Sequence, residues 1–310
     1  LNNLQNISLD PRFAAICGIT QDELCGQMTP DVDALAAALD TTPTEALARL
    51  KANYDGYHFS EGSPDIYNPF SLLSSFASGK IASYWFGSGT PTVLINLLQE
   101  SNWEIGDLEG READEDEFDA PTEDMPTPLP MLYQAGYLTI KSYDPLTCSY
   151  TLGIPNAEVA RGLSKSLVRW AAGAQVGEFN GLVRTISRSL RAHDMEGALR
   201  TTKAFMAGMP YHLGSHSERG FQTTFWLIFT LLGAQIETEV KTATGRVDAV
   251  VKTPDAIYVV EFKYEKSAQE ALAQINEKGY LLPYAADGRK LYKVGVNFSE
   301  KMQTIGEWII

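Results

Sequence analysis

Gly245-Arg246-Val247-Asp248 and, thirteen residues after the Asp, Glu261-Phe262-Lys263 are the most informative segments of this chain. The second segment closes an apolar run, residues 257–260, of the kind found in buried β-strands. Because strand side chains alternate between two faces, we expect Glu261 and Lys263 on the same face. Charged groups at the end of an apolar strand cost free energy unless they are paired or used.

Asp248, at the end of the preceding strand, adds a second carboxylate to this edge. Carboxylate oxygens are the ligands that hard divalent cations prefer, so the pair predicts a cation site. Two other interpretations fit the same residues: Glu261 and Lys263 could form a salt bridge at a strand end, and Asp248 could cap a turn.

The pattern around these residues predicts a mixed α/β domain. From residue 217 onward we expect one buried helix, three strands, a second helix and a last strand, at 217–232, 235–241, 247–252, 257–263, 267–278 and 291–297. The helix between the last two strands makes a βαβ crossover. Those two strands are therefore expected to be parallel, within a mixed central sheet.

Length and charge limit the range of functions. The chain has 310 residues, enough for two or three ordinary domains, and 44% are hydrophobic, as in globular proteins. Its net charge of −14 is unevenly placed, because the part from Arg200 onward has a net charge of +1. The acidic excess does not exclude a phosphate substrate, but it argues against non-specific DNA binding by the whole chain.

The cysteines and apolar segments predict a cytoplasmic protein. Cys17, Cys25 and Cys148 lack metal-ligand spacing and indicate a reducing compartment. No signal peptide is visible, and the longest apolar run, 225–234, is too short to span a bilayer, so we expect no membrane contact. Because the chain starts at Leu1 without an initiating Met, we expect a fragment of a longer protein.

Helix start signals dominate residues 1–105, which we predict to be all-α. They are two capping boxes and two Asn-Pro or Thr-Pro starts: Thr20 with Glu23, Thr42 with Glu45, Asn68-Pro69 and Thr90-Pro91. The last two introduce helices at 70–76 and 92–99.

The middle of the chain begins with an acidic, Pro-containing stretch, residues 104–130, which we interpret as a solvated linker or surface loop. A helix at 129–135 and strands at 136–140 and 149–152 then predict a winged-helix-like segment. Few of its residues are basic, which favours packing over DNA binding. Helices are expected at 159–171 and 177–192.

The C-terminal constellation resembles the PD-(D/E)XK nuclease superfamily, which has a restriction-endonuclease-like α/β fold. The residues that carry this resemblance are Glu218, Asp248, Glu261, Lys263 and Gln274, with Val247 in place of the Pro of the motif. The resemblance implies that Asp248 and Glu261 bind Mg²⁺ or Mn²⁺ and that Lys263 orients the attacking water. It also implies supporting roles at the site for Glu218 and Gln274.

The N-terminal part resembles the lid-like end of a bacterial AAA-ATPase-like domain. The matching segments are Tyr54-Asp55-Gly56-Tyr57-His58-Phe59, Tyr67-Asn68-Pro69-Phe70-Ser71-Leu72 and Tyr84-Trp85-Phe86. We therefore expect three domains: 1–105 from the ATPase-like part, 106–210 with the acidic loop and winged-helix-like segment, and 211–310 as the nuclease-like domain. No G-x-x-x-x-G-K-[ST] motif is present, so no ATPase activity is expected of this fragment.

Other charged residues near the predicted site have simpler interpretations. Glu218 could favour a helix dipole and Gln274 could be a surface residue. Glu239 could join the metal site, and Lys241 and Arg246 could touch phosphates, or all three could be solvated charges. His212 and His216 are a weak metal signal, and Tyr280 is expected to pack.

These patterns predict a magnesium-dependent endonuclease acting on nucleic acid, with DNA expected, coupled to an ATPase-like half of the full-length protein. The alternative is a catalytically silent nuclease-like scaffold for nucleic-acid binding or protein interaction. A third interpretation, a signalling ATPase regulator, depends on the winged-helix-like segment alone.

Overall fold

The computed structural model describes residues 6–85, 101, 108, 110–119, 127–172, 176–207, 228, 230, 232, 237–239, 248–302 and 304–310. The chain divides into two compact units, Leu1–Ser166 and Leu167–Ile310. The division into three domains stays a prediction. The helix predicted at 92–99 and most of the helix predicted at 217–232 lie outside the described residues.

Four helices form most of the first part of the N-terminal unit: α1 (Gln21–Gln27), α2 (Thr29–Ala38), α3 (Pro43–Tyr54) and α4 (Pro69–Ser78). This part is not purely helical, because β1 (Ile19–Thr20) pairs antiparallel with β2 (Ile66–Tyr67). Two-residue strands are too short to produce an alternating pattern, and their partners lie far apart in the sequence. The all-α prediction therefore missed them.

The predicted helix starts are confirmed where they are described. The Thr20 side chain accepts a hydrogen bond from the Glu23 backbone N–H, and the Glu23 carboxylate accepts one from the Thr20 backbone N–H, as a capping box requires. Thr42 and Asn68 also accept from the third residue of α3 and α4, and a proline follows each at the first helical position. Of the box predicted for Thr42 and Glu45, this hydrogen bond forms, while the Glu45 carboxylate accepts from Arg49. Local chemistry thus determines where these helices begin.

The middle segment folds as a small three-stranded sheet with two helices. Its elements are β3 (Arg111–Ala113), α5 (Glu115–Phe118), α6 (Leu129–Gln134), β4 (Thr139–Asp144) and β5 (Ser149–Gly153). The strands are antiparallel in the order β3-β5-β4.

The helix followed by a hairpin is as expected, and its assignment to the winged-helix class stays a prediction. The linker interpretation of the acidic stretch is wrong for residues 111–118. In this stretch Phe118 is fully buried, and residues 111–113 form a strand of the sheet.

Three longer helices follow: α7 (Ala157–Ala172), α8 (Val176–Arg191) and α9 (Met195–Ala207). Within the C-terminal unit, α9 is tied to the last strand of the sheet. The Lys203 ammonium donates to the Gly306 carbonyl at 2.9 Å, and the Thr304 hydroxyl donates to the Lys203 carbonyl at 2.9 Å. Within the described ranges no helix is long and apolar enough to cross a bilayer.

The C-terminal unit is built on a mixed sheet of five strands: β6 (Glu237–Glu239), β7 (Ala249–Lys252), β8 (Ala256–Tyr264), β9 (Lys290–Ser299) and β10 (Thr304–Ile309). Their order is β10-β9-β8-β7-β6, and only β8 and β9 are parallel among these pairs. The predicted mixed sheet and βαβ crossover are confirmed. The sequence missed β10, so the strand taken as the last one is followed by another.

The crossover helix α10 (Ala268–Glu277) packs close to this sheet. Gly295 on β9 makes the approach possible, because a Cβ there would lie 2.3 Å from the Ala268 carbonyl oxygen. At the start of α10, the Glu307 carboxylate accepts from the Ala268 N–H at 3.1 Å, so β10 holds the helix as well. Ile275 and Tyr280 are buried against Val250, Ile257 and Val259.

Candidate active site

Asp248 and Glu261 are brought together by the pairing of β7 with β8. Ala249 is the register partner of Val260, so Asp248, the residue before β7, lies beside Glu261 of β8. The Asp248 carboxylate Oδ2 accepts a hydrogen bond from the Phe262 N–H at 2.7 Å. The antiparallel pairing thus brings a carboxylate at the start of β7 next to one within β8, so the expectation that Asp248 lies at the end of its strand is wrong.

Lys263 and Gln274 complete the cluster from β8 and α10. The Lys263 ammonium lies 3.4 Å from Glu261 Oε1 and donates to Gln274 Oε1 at 2.5 Å. The Gln274 amide Nε2 in turn donates to the same Glu261 Oε1. Ammonium, amide and carboxylate therefore form a closed triangle in which each group contacts the other two.

Glu261 is a buried carboxylate with one oxygen that lacks a hydrogen bond among the described residues. Its side chain is 3% exposed, and its Oε2 has no hydrogen-bond partner among the described residues. Burial raises the pKa of Glu261 to about 7, with a further contribution from the charge of Asp248 and an opposing one from Lys263. A carboxylate held in this state is poised to gain either a proton or a cation.

The donor set fits a hard divalent cation. Glu261 Oε1 is engaged by Lys263 and Gln274, which leaves the buried Oε2 together with the Asp248 carboxylate as candidate oxygen ligands. No group of three or more His, Cys, Asp or Glu side chains is placed to hold a metal in the described part of the chain. Water would supply the remaining ligands, as Mg²⁺ usually requires.

Four of the five predicted site residues thus meet at one edge of the sheet, namely Asp248, Glu261, Lys263 and Gln274. The fifth, Glu218, lies outside the described residues, and so do Lys241, Arg246, His212 and His216. Glu239 is on β6, opposite Val250, and its side chain is not described. The Glu261–Lys263 salt bridge that was the simpler interpretation exists, but Gln274 binds both of its members.

Tyr280 is the residue at the site that the sequence did not assign to it. Its hydroxyl lies 3.5 Å from the Gln274 Nε2, whereas the sequence suggested only a packing role. The available signal was Gly279, which marks the end of α10 and returns the chain toward the helix. Which atom the following aromatic side chain reaches could not be read from that signal.

Comparison with known proteins agrees with this geometry. Residues 216–308 match a family model described as PD-(D/E)XK nuclease superfamily. A protein described as an uncharacterized protein in the vnfD 5′ region, from Azotobacter chroococcum mcd 1, is 30% identical over 326 aligned positions that cover 100% of this chain. The chain spans 59% of that relative's length. No solved structure matches the chain.

The chain therefore contains a C-terminal PD-(D/E)XK nuclease superfamily domain. The matched residues contain the sheet edge with Asp248, Glu261 and Lys263, and also α10 with Gln274. Neither the family model nor the described relative identifies an ATPase-like part in residues 1–105.

Proposed function

We propose that residues 216–308 catalyse metal-dependent hydrolysis of phosphodiester bonds in nucleic acid, with DNA as the expected substrate. The observation that supports this most directly is the convergence of two carboxylates, an ammonium and an amide around Glu261. That carboxylate is buried, carries an unpartnered oxygen and has a pKa of about 7. A purely structural ion pair does not require such an oxygen.

The charges at the site suit the reaction. A phosphodiester resists attack because its anion repels hydroxide, and a bound divalent cation would neutralise that charge and make a water more acidic. Asp248 and Glu261 would hold the cation through their oxygens. Glu261 must be unprotonated to do so, and we therefore expect cation affinity to rise as the pH passes through about 7.

Lys263 is proposed to orient the attacking water and stabilise the negative charge that develops on the phosphate. The Lys263 side chain is 22% exposed, so its ammonium can reach a bound substrate while it contacts Glu261 and Gln274. Gln274 would restrain both neighbours, because its carbonyl oxygen accepts from one and its NH₂ donates to the other. Glu218 keeps its expected role as a further carboxylate of the site.

The test is cleavage of supercoiled plasmid, linear single-stranded DNA and RNA with Mg²⁺ or Mn²⁺. We expect cleavage by the wild type and a loss of roughly 100-fold or more in Asp248→Ala and Lys263→Ala, the range seen when one charge-stabilising group is removed. Lys266→Ala, which removes an exposed lysine three residues along the chain, is the matched control and should retain activity.

Two results would overturn the proposal. One is equal inertness of the wild type and both variants on all three substrates, with no change in melting temperature on adding either cation. The other is full activity in Asp248→Ala. The first result would favour the silent scaffold.

Coupling to an ATPase-like module is a separate proposal. It is supported by the sequence segments around Tyr54-Asp55-Gly56-Tyr57, and the chain covers 59% of its longer relative. The expected result is that the longer relative cleaves nucleic acid at a rate that depends on ATP, whereas the 310-residue chain responds to the cation alone. Equal rates with and without ATP in the longer relative would exclude the coupling.

A further inference from the structure

The C-terminal end of α10 is closed by a specific turn next to the candidate active site. Gly279 has a φ of +64° and donates its N–H to the Asn276 carbonyl at 3.2 Å. Tyr280 donates its N–H to the Ile275 carbonyl at 3.2 Å. These two hydrogen bonds define a Schellman motif, in which the residue after the glycine folds back against the last turn of the helix.

This motif delivers the Tyr280 side chain to a particular place. Its ring is 3% exposed and packs in the same apolar cluster as Ile275, which is the side-chain contact that usually accompanies a Schellman motif. Its hydroxyl lies 3.5 Å from the Nε2 of Gln274, one turn before the end of the helix. A phenol is thus placed beside an amide that binds both Glu261 and Lys263.

The Gln274 amide uses all of its hydrogen-bonding groups in this arrangement. Its Oε1 accepts from Lys263, and its Nε2, which has two hydrogens to donate, contacts both Glu261 Oε1 and the Tyr280 hydroxyl. The first two contacts determine which way the amide faces. The third restrains the otherwise free side of the NH₂ group.

We propose that Tyr280 is a positioning residue of the active site, which acts through Gln274 to keep Glu261 and Lys263 in their working arrangement. This inference rests on the proposed nuclease function. The phenol touches neither substrate nor cation in this role. It limits the movement of the Gln274 amide and, through that amide, the movement of the two charged groups that it holds.

The test is Tyr280→Phe in the full 310-residue chain, a change that removes the hydroxyl and keeps the buried ring. With plasmid and Mg²⁺ or Mn²⁺, we expect kcat to fall roughly 3- to 10-fold, the range for loss of one neutral hydrogen bond, with KM for the plasmid unchanged. Tyr284→Phe is the matched control, because it removes a hydroxyl from the same apolar cluster and should leave both constants unchanged.

A spectroscopic measurement separates positioning from general destabilisation and does not require activity. In a ¹H–¹⁵N spectrum, the Gln274 side-chain amide is identified as the pair of signals lost in Gln274→Glu. In Tyr280→Phe we expect the proton that faces the phenol to move upfield, toward the position of a solvated amide, while the proton that faces Glu261 keeps its shift. Tyr284→Phe should leave both signals in place.

Several results would overturn the inference. They are an unchanged Gln274 amide in Tyr280→Phe, a rise in KM at constant kcat, or the same changes in Tyr284→Phe. If the wild type cleaves no nucleic acid, the proposed function fails while the amide signals still decide whether Tyr280 positions Gln274.

Discussion

Two glutamates of equal burial, one in each unit of the chain, are held in opposite ways. Glu158, on the first turn of α7 in the N-terminal unit, is 1% exposed, and its Oε1 accepts from the backbone N–H groups of Tyr84 and Trp85 at 2.5 and 2.9 Å. Glu261 in the C-terminal unit is 2% exposed and leaves its Oε2 unpartnered within the described residues.

The difference shows that burial of a carboxylate does not identify a functional site. Glu158 receives donors that are part of the backbone and cannot move away, which is typical of a group that stabilises the fold. The groups that interact with Glu261 include the side chains of Asp248, Lys263 and Gln274, and its pKa is raised to about 7. An unsatisfied buried atom next to such groups favours a function, because folding alone would select against it.

The largest expected effect tests whether Glu158 stabilises the fold. Glu158→Ala removes the charged acceptor of the half-buried backbone N–H groups of Tyr84 and Trp85, and hydrogen bonds to a charged group are strong, so we expect the free energy of unfolding to fall by about 2–4 kcal/mol. Native-state hydrogen exchange measures this locally, which matters because a chain of two units need not unfold in one step. Glu158→Gln keeps an acceptor oxygen and is the control. Equal losses in both variants would mean that the negative charge, and not the acceptor, is what matters.

Next in size is the effect of separating α10 from the sheet beside Glu261. In Gly295→Ala the new Cβ would lie 2.3 Å from the Ala268 carbonyl oxygen, so we expect a loss of about 1–3 kcal/mol in the free energy of unfolding. Gly181→Ala, on α8, meets nothing within 4 Å and should instead stabilise by about 0.5–1 kcal/mol. Both are read from urea unfolding. A neutral Gly295→Ala would show that the helix can move away from the sheet without cost.

A smaller expected effect tests whether Glu261 binds a cation. Mn²⁺ at ten times its dissociation constant should stabilise the wild type by about 1.4 kcal/mol, since it binds only the folded site. The melting temperature should rise in the wild type and in Glu158→Gln but not in Glu261→Gln. A shift that persists in Glu261→Gln would place the cation away from this carboxylate.

The smallest expected effect is the pH dependence of stability without a cation. Because the folded-state pKa of Glu261 is raised from 4.5 to about 7, its contribution is fully present below pH 4.5 and is lost as the pH rises through about 7.

Glu261→Gln, which does not titrate, should therefore gain stability over the wild type between pH 5 and pH 8 in EDTA. We expect a gain of roughly 1 kcal/mol once solvent screening is allowed for. Glu277→Gln, at an exposed position on α10, is the control. If the free energies of unfolding of Glu261→Gln and the wild type differ by the same amount at pH 5 and at pH 8, the pKa of Glu261 is not raised.

Much of the C-terminal domain was predictable because its signals are local. The apolar runs of β7 and β8 predict strands, and a helix between two strands predicts that they are parallel. The same locality explains the candidate site. Asp248 lies next to the start of β7, and Glu261 and Lys263 lie two residues apart in β8, so pairing of these neighbouring strands brings them together.

The missed elements have no clear alternating pattern of their own. β1 and β2 are two residues each and pair with a partner distant in sequence, whereas β10 follows β9 directly and a register shift between Ile305 and Trp308 interrupts its pairing. The acidic stretch looked like a linker because its charges dominate its composition, whereas the burial of Phe118 depends on packing against Tyr133 and Tyr150.

Residue order and composition thus determined the helix starts, the βαβ unit and the set of chemical groups at the active-site edge, since each depends on neighbours a few residues away. Tertiary packing decided that Glu261 is desolvated, that its Oε2 lacks a partner, and that Gln274 and Tyr280 lie beside it. Desolvation and hydrogen-bond saturation are properties of everything that surrounds an atom. For Glu261, desolvation and hydrogen bonding therefore depend on the packing of α10 against the sheet, which Gly295 and the turn at Gly279 make possible.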